Sequence, residues 1–118
     1  MEKIHVIIVP EKDEYAEDLF YYDTVYINPA LGKPRLKERN AKYLAPLLLS
    51  NEEHSVTRIF HILEFDKVKS IIIVGNSFVL DKPWNQIGQN RRFEYVPLED
   101  FGFVEINNGI LMNNKLKL

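Results

Sequence analysis

The sequence predicts a small, mainly β (α+β) domain whose strands curl into a barrel or pseudobarrel. Short runs of β-branched, aliphatic and aromatic residues recur along the chain, and turn signals built from Gly, Pro and Asn separate them closely. The long amphipathic segments that a doubly wound α/β fold needs for its crossover helices are missing. These observations favour five to seven strands with one or two short helices.

Length and composition are those of one ordinary globular domain. The chain has 118 residues, of which 46% are hydrophobic and 27% charged, enough apolar content for a core without covalent staples. It has no cysteine, which excludes disulfides, thiolate metal sites and cysteine catalysis. The first apolar run is too short for a signal peptide or a membrane span. We therefore expect a single cytoplasmic domain over residues 1–118, with no membrane contact and a frayed tail over residues 107–118.

In the first half of the chain, apolar and β-branched runs predict strands at residues 4–9, 24–27, 43–49 and 55–63. The run 4–9 is unbroken and ends at Pro10, which is typical of a strand buried on both faces. Residues 11–22 have the spacing of a short acidic helix, and the basic residues 35–42 predict a helical turn. The alternation in the run 55–63 predicts that Thr57 and His61 share one face, and that Arg58 shares the other with Val56, Phe60 and Ile62.

In the second half, strands are predicted at residues 68–74, 77–80 and 93–96. Gly75-Asn76 indicates a bulge or a tight turn between the first two. Residues 81–90 predict a loop centred on Trp84, residues 98–101 a single helical turn, and residues 107–109 a turn. The predicted core, taken from the apolar strand runs, is Ile7, Val9, Leu47, Leu49, Ile59, Phe60, Ile72 and Val74.

The net charge of −2 conceals an uneven distribution. Residues 1–32 hold seven acids and two bases, residues 33–92 hold eleven bases and six acids, and residues 93–118 hold four acids and two bases. The middle of the chain is therefore expected to face an anion. Its predicted anion-facing set is Arg35, Lys37, Arg39, Arg58, Arg91 and Arg92.

Five segments in this order resemble a nuclease-associated branch of the PUA-like superfamily, whose relatives include the EVE, ASCH and YTH domains. The segments are HVIIVP, KYLAPLLLS, SVTRIFHILEF, IIIVGNSFVLDKPW and QNRRFEYVPLEDF, and together they cover roughly residues 4–103. The chain departs from the family at Val56-Thr57-Arg58, where relatives often have Ile-Thr-His; here the histidine is His61. The resemblance implies a PUA-like pseudobarrel with a cleft that holds a base, often a modified one, in RNA or DNA.

A base is read by stacking on aromatic side chains and by hydrogen bonds to its edge. Trp84 is the predicted stacking platform, with the amides of Asn85 and Gln86 beside it to read the base edge. The alternative is that Trp84 folds back as a structural lid on the end of the barrel. Arg91 and Arg92, next to Tyr95, suit phosphate contact and stacking. The other candidate base-binding residues are Tyr43, Arg58 and His61.

The sequence contains no strong catalytic or metal-binding motif. His5, His54 and His61 lack metal-ligand spacing, and no phosphate-binding glycine loop or nucleophile elbow is present. We therefore expect a non-catalytic binding module for nucleic acid or a modified nucleoside, without a cofactor. Two alternatives stay open. One is a protein-interaction subunit, as a homodimer or with an effector protein of a defence or restriction complex. The other is an ASCH-like amidohydrolase acting on modified nucleosides through Lys42, Thr57 and Glu64.

Overall fold

The structure, a computed structural model, describes residues 3–11, 24–26, 33–48, 55–85 and 93–113. These residues contain eight strands and one 3-10 turn: β1 (His5–Glu11), β2 (Thr24–Tyr26), β3 (Ala41–Leu48), β4 (Ser55–Asp66), β5 (Ile71–Asn85), β6 (Glu94–Pro97), the 3-10 turn Leu98–Phe101, β7 (Phe103–Asn107) and β8 (Ile110–Asn113). No helix among the described residues is long and apolar enough to cross a membrane.

Six strands form one mixed sheet in the order β2-β5-β4-β3-β1-β6, and β7 and β8 form a separate hairpin. The prediction of a mainly β chain is confirmed, but the eight strands exceed the predicted five to seven. Strands β2 and β6 are the two edges of the sheet, so within the described residues it does not close into a barrel.

Strand β1 lies inside the sheet, parallel to β3 on one side and antiparallel to β6 on the other. Val6, Ile7, Ile8 and Val9 are all at most 1% exposed, although consecutive residues of a strand point to opposite faces. Both faces of the sheet are therefore covered, as the unbroken apolar run predicts.

The core is divided by the sheet into two clusters, which we call the hairpin-side cluster and the far-side cluster. The hairpin-side cluster contains Val6, Ile8, Tyr43, Ala45, Leu47, Val56, Ile59, Leu80, Val96 and Leu98, and residues of the 3-10 turn and of β7 and β8 pack against it. The far-side cluster contains Ile7, Val9, Val25, Ala41, Leu44, Phe60, Ile72 and Val74. Every predicted core residue within the described part of the chain is buried; Leu49 lies outside the described residues.

The predicted alternation of β4 is partly wrong. Val56 and Ile59 both belong to the hairpin-side cluster, whereas Phe60 belongs to the far-side cluster. In the pairing of β3 with β4, the four steps from Leu44 to Leu48 are matched by five steps from Phe60 to Ser55, and this one extra residue of β4 reverses the faces of the residues beyond it. Arg58 therefore shares a face with Phe60, as predicted, but not with Val56.

The prediction of separate strands at residues 68–74 and 77–80 is also wrong, but the bulge predicted at Gly75-Asn76 is confirmed. Phe60 pairs with Ser77 and Ile62 with Val74, which leaves one extra residue of β5 between the two pairs. One strand, β5, runs from Ile71 through Gly75 to Asn85. Val68 lies in the turn before β5 and is 95% exposed. The Asp66 carboxylate accepts hydrogen bonds from the backbone amides of Val68 and Lys69 at 3.0 and 3.1 Å. These bonds to the side chain stabilise a turn at residues that would otherwise extend the strand.

The shorter predicted elements have mixed outcomes. The strand near residues 24–27, the strand near residues 93–96, the turn before β3, the 3-10 turn and the turn between β7 and β8 are confirmed. Strand β8 lies within residues 107–118, where the sequence predicts a frayed tail, and it pairs with β7. The helix predicted over residues 11–22 lies outside the described residues, except that Glu11 ends β1.

Candidate functional site

Trp84 lies in strand β5 and pairs with Val56 of β4, so the prediction of a loop at this point is wrong. The next pair along the two strands is Arg58 with Val79. Thr57 alone therefore faces the whole segment 80–83, which forms a wide bulge. Pro83 has no amide hydrogen to donate, and a bulge is one of the few places where a strand tolerates such a residue.

Trp84, Phe101 and Phe103 form the aromatic wall of a cleft between this bulge and the 3-10 turn. The rings of Trp84 and Phe101 have centroids 5.5 Å apart and are tilted by 38°. The cleft has a volume of about 260 Å³, just below the roughly 300–1,000 Å³ of sites for drug-sized ligands. It is therefore suited to one small flat group. Trp84 itself is half-buried: it packs on the hairpin-side cluster and still lines the cleft.

The rim of the cleft is polar and carries more negative than positive groups. Asp81 and Asp100 line it together with the single ammonium group of Lys82. The Asp81 carboxylate accepts a hydrogen bond of 2.8 Å from the side-chain amide of Asn113, which ties the bulge to strand β8. Both aspartates are exposed on the open side of the cleft. A group entering the cleft thus meets aromatic faces inside and carboxylate oxygens at the mouth.

A second polar constellation lies under the hairpin on the same face of the sheet, and it begins with a bulge in β3. His5 pairs with Ala41 and Val6 with Tyr43, so Lys42 is the extra, unpaired residue. Such a bulge changes the direction in which the side chains beside it point. Lys42 and Tyr43, although adjacent, both reach Glu105 of β7: the Lys42 ammonium is 3.4 Å from one carboxylate oxygen, and the Tyr43 hydroxyl donates to the other at 2.5 Å.

Tyr43 is fully buried, and this burial affects the protonation of its hydroxyl group. Burial disfavours the phenolate and, together with the hydrogen bond to the Glu105 carboxylate and its negative charge, raises the pKa of Tyr43 well above its ordinary value; a backbone hydrogen bond from Gly109 opposes this in part. The hydroxyl is therefore a firmly neutral donor. It is a structural tie between β3 and β7.

His61 completes the constellation, with its ring centroid 5.3 Å from that of Tyr43. The hairpin turn lies so close above it that a Cβ atom at Gly109 would be 2.6 Å from the His61 Nδ1 atom. The aromatic row continues from Tyr43 to Phe78 and from Phe78 to Phe103, at centroid distances of 6.5 and 6.1 Å. Phe103 and Glu105 are two apart on β7 and share a face, so one short strand serves both the cleft and the constellation.

Arg58 and Tyr95 lie on the other face of the sheet. Arg58 neighbours Ile59 of the hairpin-side cluster and so points away from it, and Tyr95 packs against the far-side cluster. The Tyr95 hydroxyl accepts a 2.7 Å hydrogen bond from the backbone amide of Arg35, and the Arg39 guanidinium carbon lies 5.5 Å from the centroid of its ring. The structure therefore places these two candidate residues away from Trp84.

The remaining candidate residues fall at or beyond the limits of the described chain. Asn85 is the last residue of β5 and pairs with Ser55, and its side chain is not among those described. Gln86, Arg91 and Arg92 lie outside the described residues. Their roles in reading a base edge and contacting phosphate stay predictions.

Sequence reasoning missed Phe101, Phe103 and Glu105. The pattern Phe-Gly-Phe at 101–103 sets two aromatic side chains around a residue with positive φ, and this was the available signal for the first two. Glu105 gave none, because its partner Tyr43 is 62 positions away in the sequence. Contacts at such separations depend on strand register.

The three residues named for amide hydrolysis are not brought together by the contacts of the described structure. Lys42 is paired with Glu105, whereas Thr57 and Glu64 are exposed at different points of β4. Among the residues that the structure describes, no group of three or more histidines or acids is placed to hold a metal ion.

No protein-family model, curated protein or solved structure matches this chain.

Proposed function

We propose that this chain is a binding module that holds a nucleobase, as a modified nucleoside or within a nucleic acid, in the cleft lined by Trp84. The observation that carries the proposal is the cleft itself: a volume of about 260 Å³ with the Trp84 and Phe101 rings in its wall. A flat ring is the ligand that such walls stabilise best, because each base stacked on an aromatic side chain contributes about 1–3 kcal/mol.

The polar rim supports the same ligand class. A nucleobase combines an aromatic face with a hydrogen-bonding edge, so a receptor needs stacking inside and donors or acceptors at the mouth. Asp81, Asp100 and Asn113 supply these groups at the mouth of the cleft. A purely apolar ligand would make no use of these polar groups, and this favours a base over a hydrocarbon.

The proposal includes a PUA-like pseudobarrel as the finer form of the mainly β fold. It is supported by the mixed sheet, by the bulges that curve β3 and β5, and by the hairpin that covers one face. An experimental structure should show the sheet curled so that edge strands β2 and β6 approach each other. A flat sheet with widely separated edges would contradict the pseudobarrel and leave the cleft in place.

Intrinsic fluorescence tests the binding proposal, because Trp84 is the sole tryptophan. A panel of methylated nucleosides is titrated into the protein, and the cognate one is expected to quench the emission. The variant Trp84→Leu, followed by calorimetry, should weaken binding by about 1–3 kcal/mol. Leucine is preferred to alanine because Trp84 also packs on the core.

The matched control is Phe93→Leu, which alters a partly buried aromatic side chain packed on the far-side cluster. It should leave nucleoside affinity unchanged. Equal losses in the two variants would indicate a general stability effect, and the absence of binding by every nucleoside and short oligonucleotide would overturn the proposal.

A protein-interaction subunit, as a homodimer or with an effector protein, is the second candidate function. Leu63, Ile106 and Ile110 are 61%, 60% and 47% exposed, and a second protein chain that covered them would bury this apolar surface. Light scattering after gel filtration tests the homodimer. A mass of one chain at micromolar concentration, unchanged in Ile106→Lys, would argue against it.

A further inference from the structure

We propose that the Trp84 cleft selects its ligand by charge and takes a positively charged base, one alkylated on a ring nitrogen, in preference to its neutral counterpart. This inference rests on the proposed function and names the class of base that the cleft recognises. It follows from the combination of aromatic walls and an acidic rim in one small cavity.

The aromatic walls favour a cation on their own. The face of an aromatic ring carries partial negative charge, and tryptophan is the best of the three aromatic residues for binding a cation within about 6 Å. The Trp84 and Phe101 rings pack on each other, with centroids 5.5 Å apart and planes tilted by 38°, and both line the cleft, so a cation bound there contacts aromatic carbon. A neutral base gains the stacking contribution alone.

The charges at the rim add to this preference. Asp81 and Asp100 contribute two negative charges to the lining against one positive charge from Lys82. The Lys3 ammonium is 2.9 Å from the exposed Glu99 carboxylate and also attracts Asp100, so it balances Glu99 and offsets part of the Asp100 charge, and the group as a whole stays negative. At about 4 Å, two unit charges interact by about 1 kcal/mol in water and by several times that where water is partly excluded. A delocalised cation is attracted to such a rim.

The same rim disfavours the phosphate of a nucleotide close to the cleft mouth. A phosphate would approach two carboxylates with only Lys82 to offset them. We therefore expect the base to enter with its sugar and phosphate directed away from Asp81 and Asp100. The acidic rim is then a selectivity device, and stacking supplies the affinity.

Two isomeric probes separate charge from shape. 1-Methyladenosine is protonated and positively charged at pH 7 and N6-methyladenosine is neutral, although the two nucleosides are isomers apart from that proton. Quenching of Trp84 fluorescence should show 1-methyladenosine binding about threefold to thirtyfold more tightly, the range expected for a cation over an aromatic face. The preference should narrow as salt rises, because screening weakens the attraction of the exposed carboxylates.

The variants Asp81→Asn and Asp100→Asn remove charge while keeping size and hydrogen-bonding capacity. Each should lower the affinity for 1-methyladenosine by a larger factor than the affinity for N6-methyladenosine, and so narrow the preference between the two. Glu38→Gln, which changes an exposed carboxylate in the turn before β3, is the control and should change neither affinity.

Equal binding of the two isomers with no effect of the aspartate variants would overturn the charge selection and leave base binding intact. Failure of both isomers and of all other nucleosides to bind would overturn the proposed function and this inference together.

Discussion

Glu105 is the residue on which the polar interior under the hairpin depends. Its side chain is only 11% exposed and receives both the Tyr43 hydroxyl and the Lys42 ammonium. A buried carboxylate is tolerated only where charged and polar partners replace the water it has lost. The bulge at Lys42 makes this pairing geometrically feasible, because it turns two adjacent side chains toward one acid.

Tyr43→Phe removes one of these partners and should lower the free energy of unfolding by about 1.5–3 kcal/mol, the usual range for a hydrogen bond to a charged group. Urea denaturation measures it. Tyr95→Phe is the matched control: it removes a hydroxyl that accepts one bond from the exposed backbone amide of Arg35, and should cost about 0.5–1.5 kcal/mol. Equal losses would show that the Glu105 carboxylate is not stabilised specifically by Tyr43.

The raised pKa of Tyr43 also predicts a pH dependence. Above its ordinary value of 10.0 the unfolded chain releases the phenolic proton while the folded chain retains it. The stabilising contribution is therefore complete below pH about 10, and it is lost progressively as the pH rises from there toward the folded-state pKa. Tyr43→Phe lacks this group. The stability difference between the native protein and the variant, measured from about pH 8 to pH 11, should narrow above pH 10; a constant difference would count against the assignment.

Elements bounded by local sequence signals were predictable, whereas the continuation of a strand through a bulge was not. The apolar run of β1 and the turn at Asn107-Asn108-Gly109 are local signals, and both were read correctly. Gly75 and Pro83 are ordinarily strand breakers, yet β5 passes through both because pairing with β4 holds it in place. The shape of the cleft could not be predicted for the same reason. Its wall depends on a bulge of β5 and on the aromatic rings of Phe101 and Phe103, and no sequence spacing connects these two residues to Trp84.

The β7–β8 hairpin gives a prediction at the scale of an element, because the glycine in its turn and the glycine just before β7 both have positive φ but different surroundings. Gly109 has φ of 76° and no room for a Cβ beside His61, whereas Gly102 has φ of 83° and nothing within 4 Å of an added Cβ. Gly102→Ala should cost about 1–2 kcal/mol from backbone strain alone. Gly109→Ala should cost more in the same denaturation experiment. Equal costs would show that the turn is not closely packed on His61.

Burial of β4 gives a second prediction at this scale. Phe60 is 3% exposed in the far-side cluster, so Phe60→Ala should lower the free energy of unfolding by about 3–5 kcal/mol through lost contacts and a cavity. Val79→Ala on β5 is the control, since Val79 is 63% exposed and its truncation should change stability by less than about 0.5 kcal/mol. An unchanged melting temperature for Phe60→Ala would mean that the Phe60 side chain does not lie in the far-side cluster and that the two faces of β4 have been interchanged.

At the scale of the whole molecule, the sheet separates two chemistries that the sequence places close together. Trp84 and its acidic-rimmed cleft lie on the hairpin side, whereas Tyr95 with Arg35 and Arg39 packs on the far side. The basic residues Arg35 and Arg39 and the acidic rim of the cleft therefore lie on opposite faces of the sheet. Under the proposed function, a polyanion attracted to these arginines and a base held in the cleft would contact different faces.

The last prediction follows from this separation: the two faces should respond independently to substitution. Arg39→Glu should weaken binding of a short oligonucleotide and flatten its fall with salt, because fewer phosphates are then neutralised. It should leave nucleoside affinity at Trp84 unchanged. Trp84→Leu should weaken nucleoside binding and leave the salt dependence of oligonucleotide binding unchanged.

Since the sites share no contact in the described structure, the double variant should show the sum of the single effects for each ligand within about 0.5 kcal/mol. Loss of nucleoside binding in Arg39→Glu alone would show that the two faces act as one site, and that the cleft depends on the basic face for its shape or its ligand.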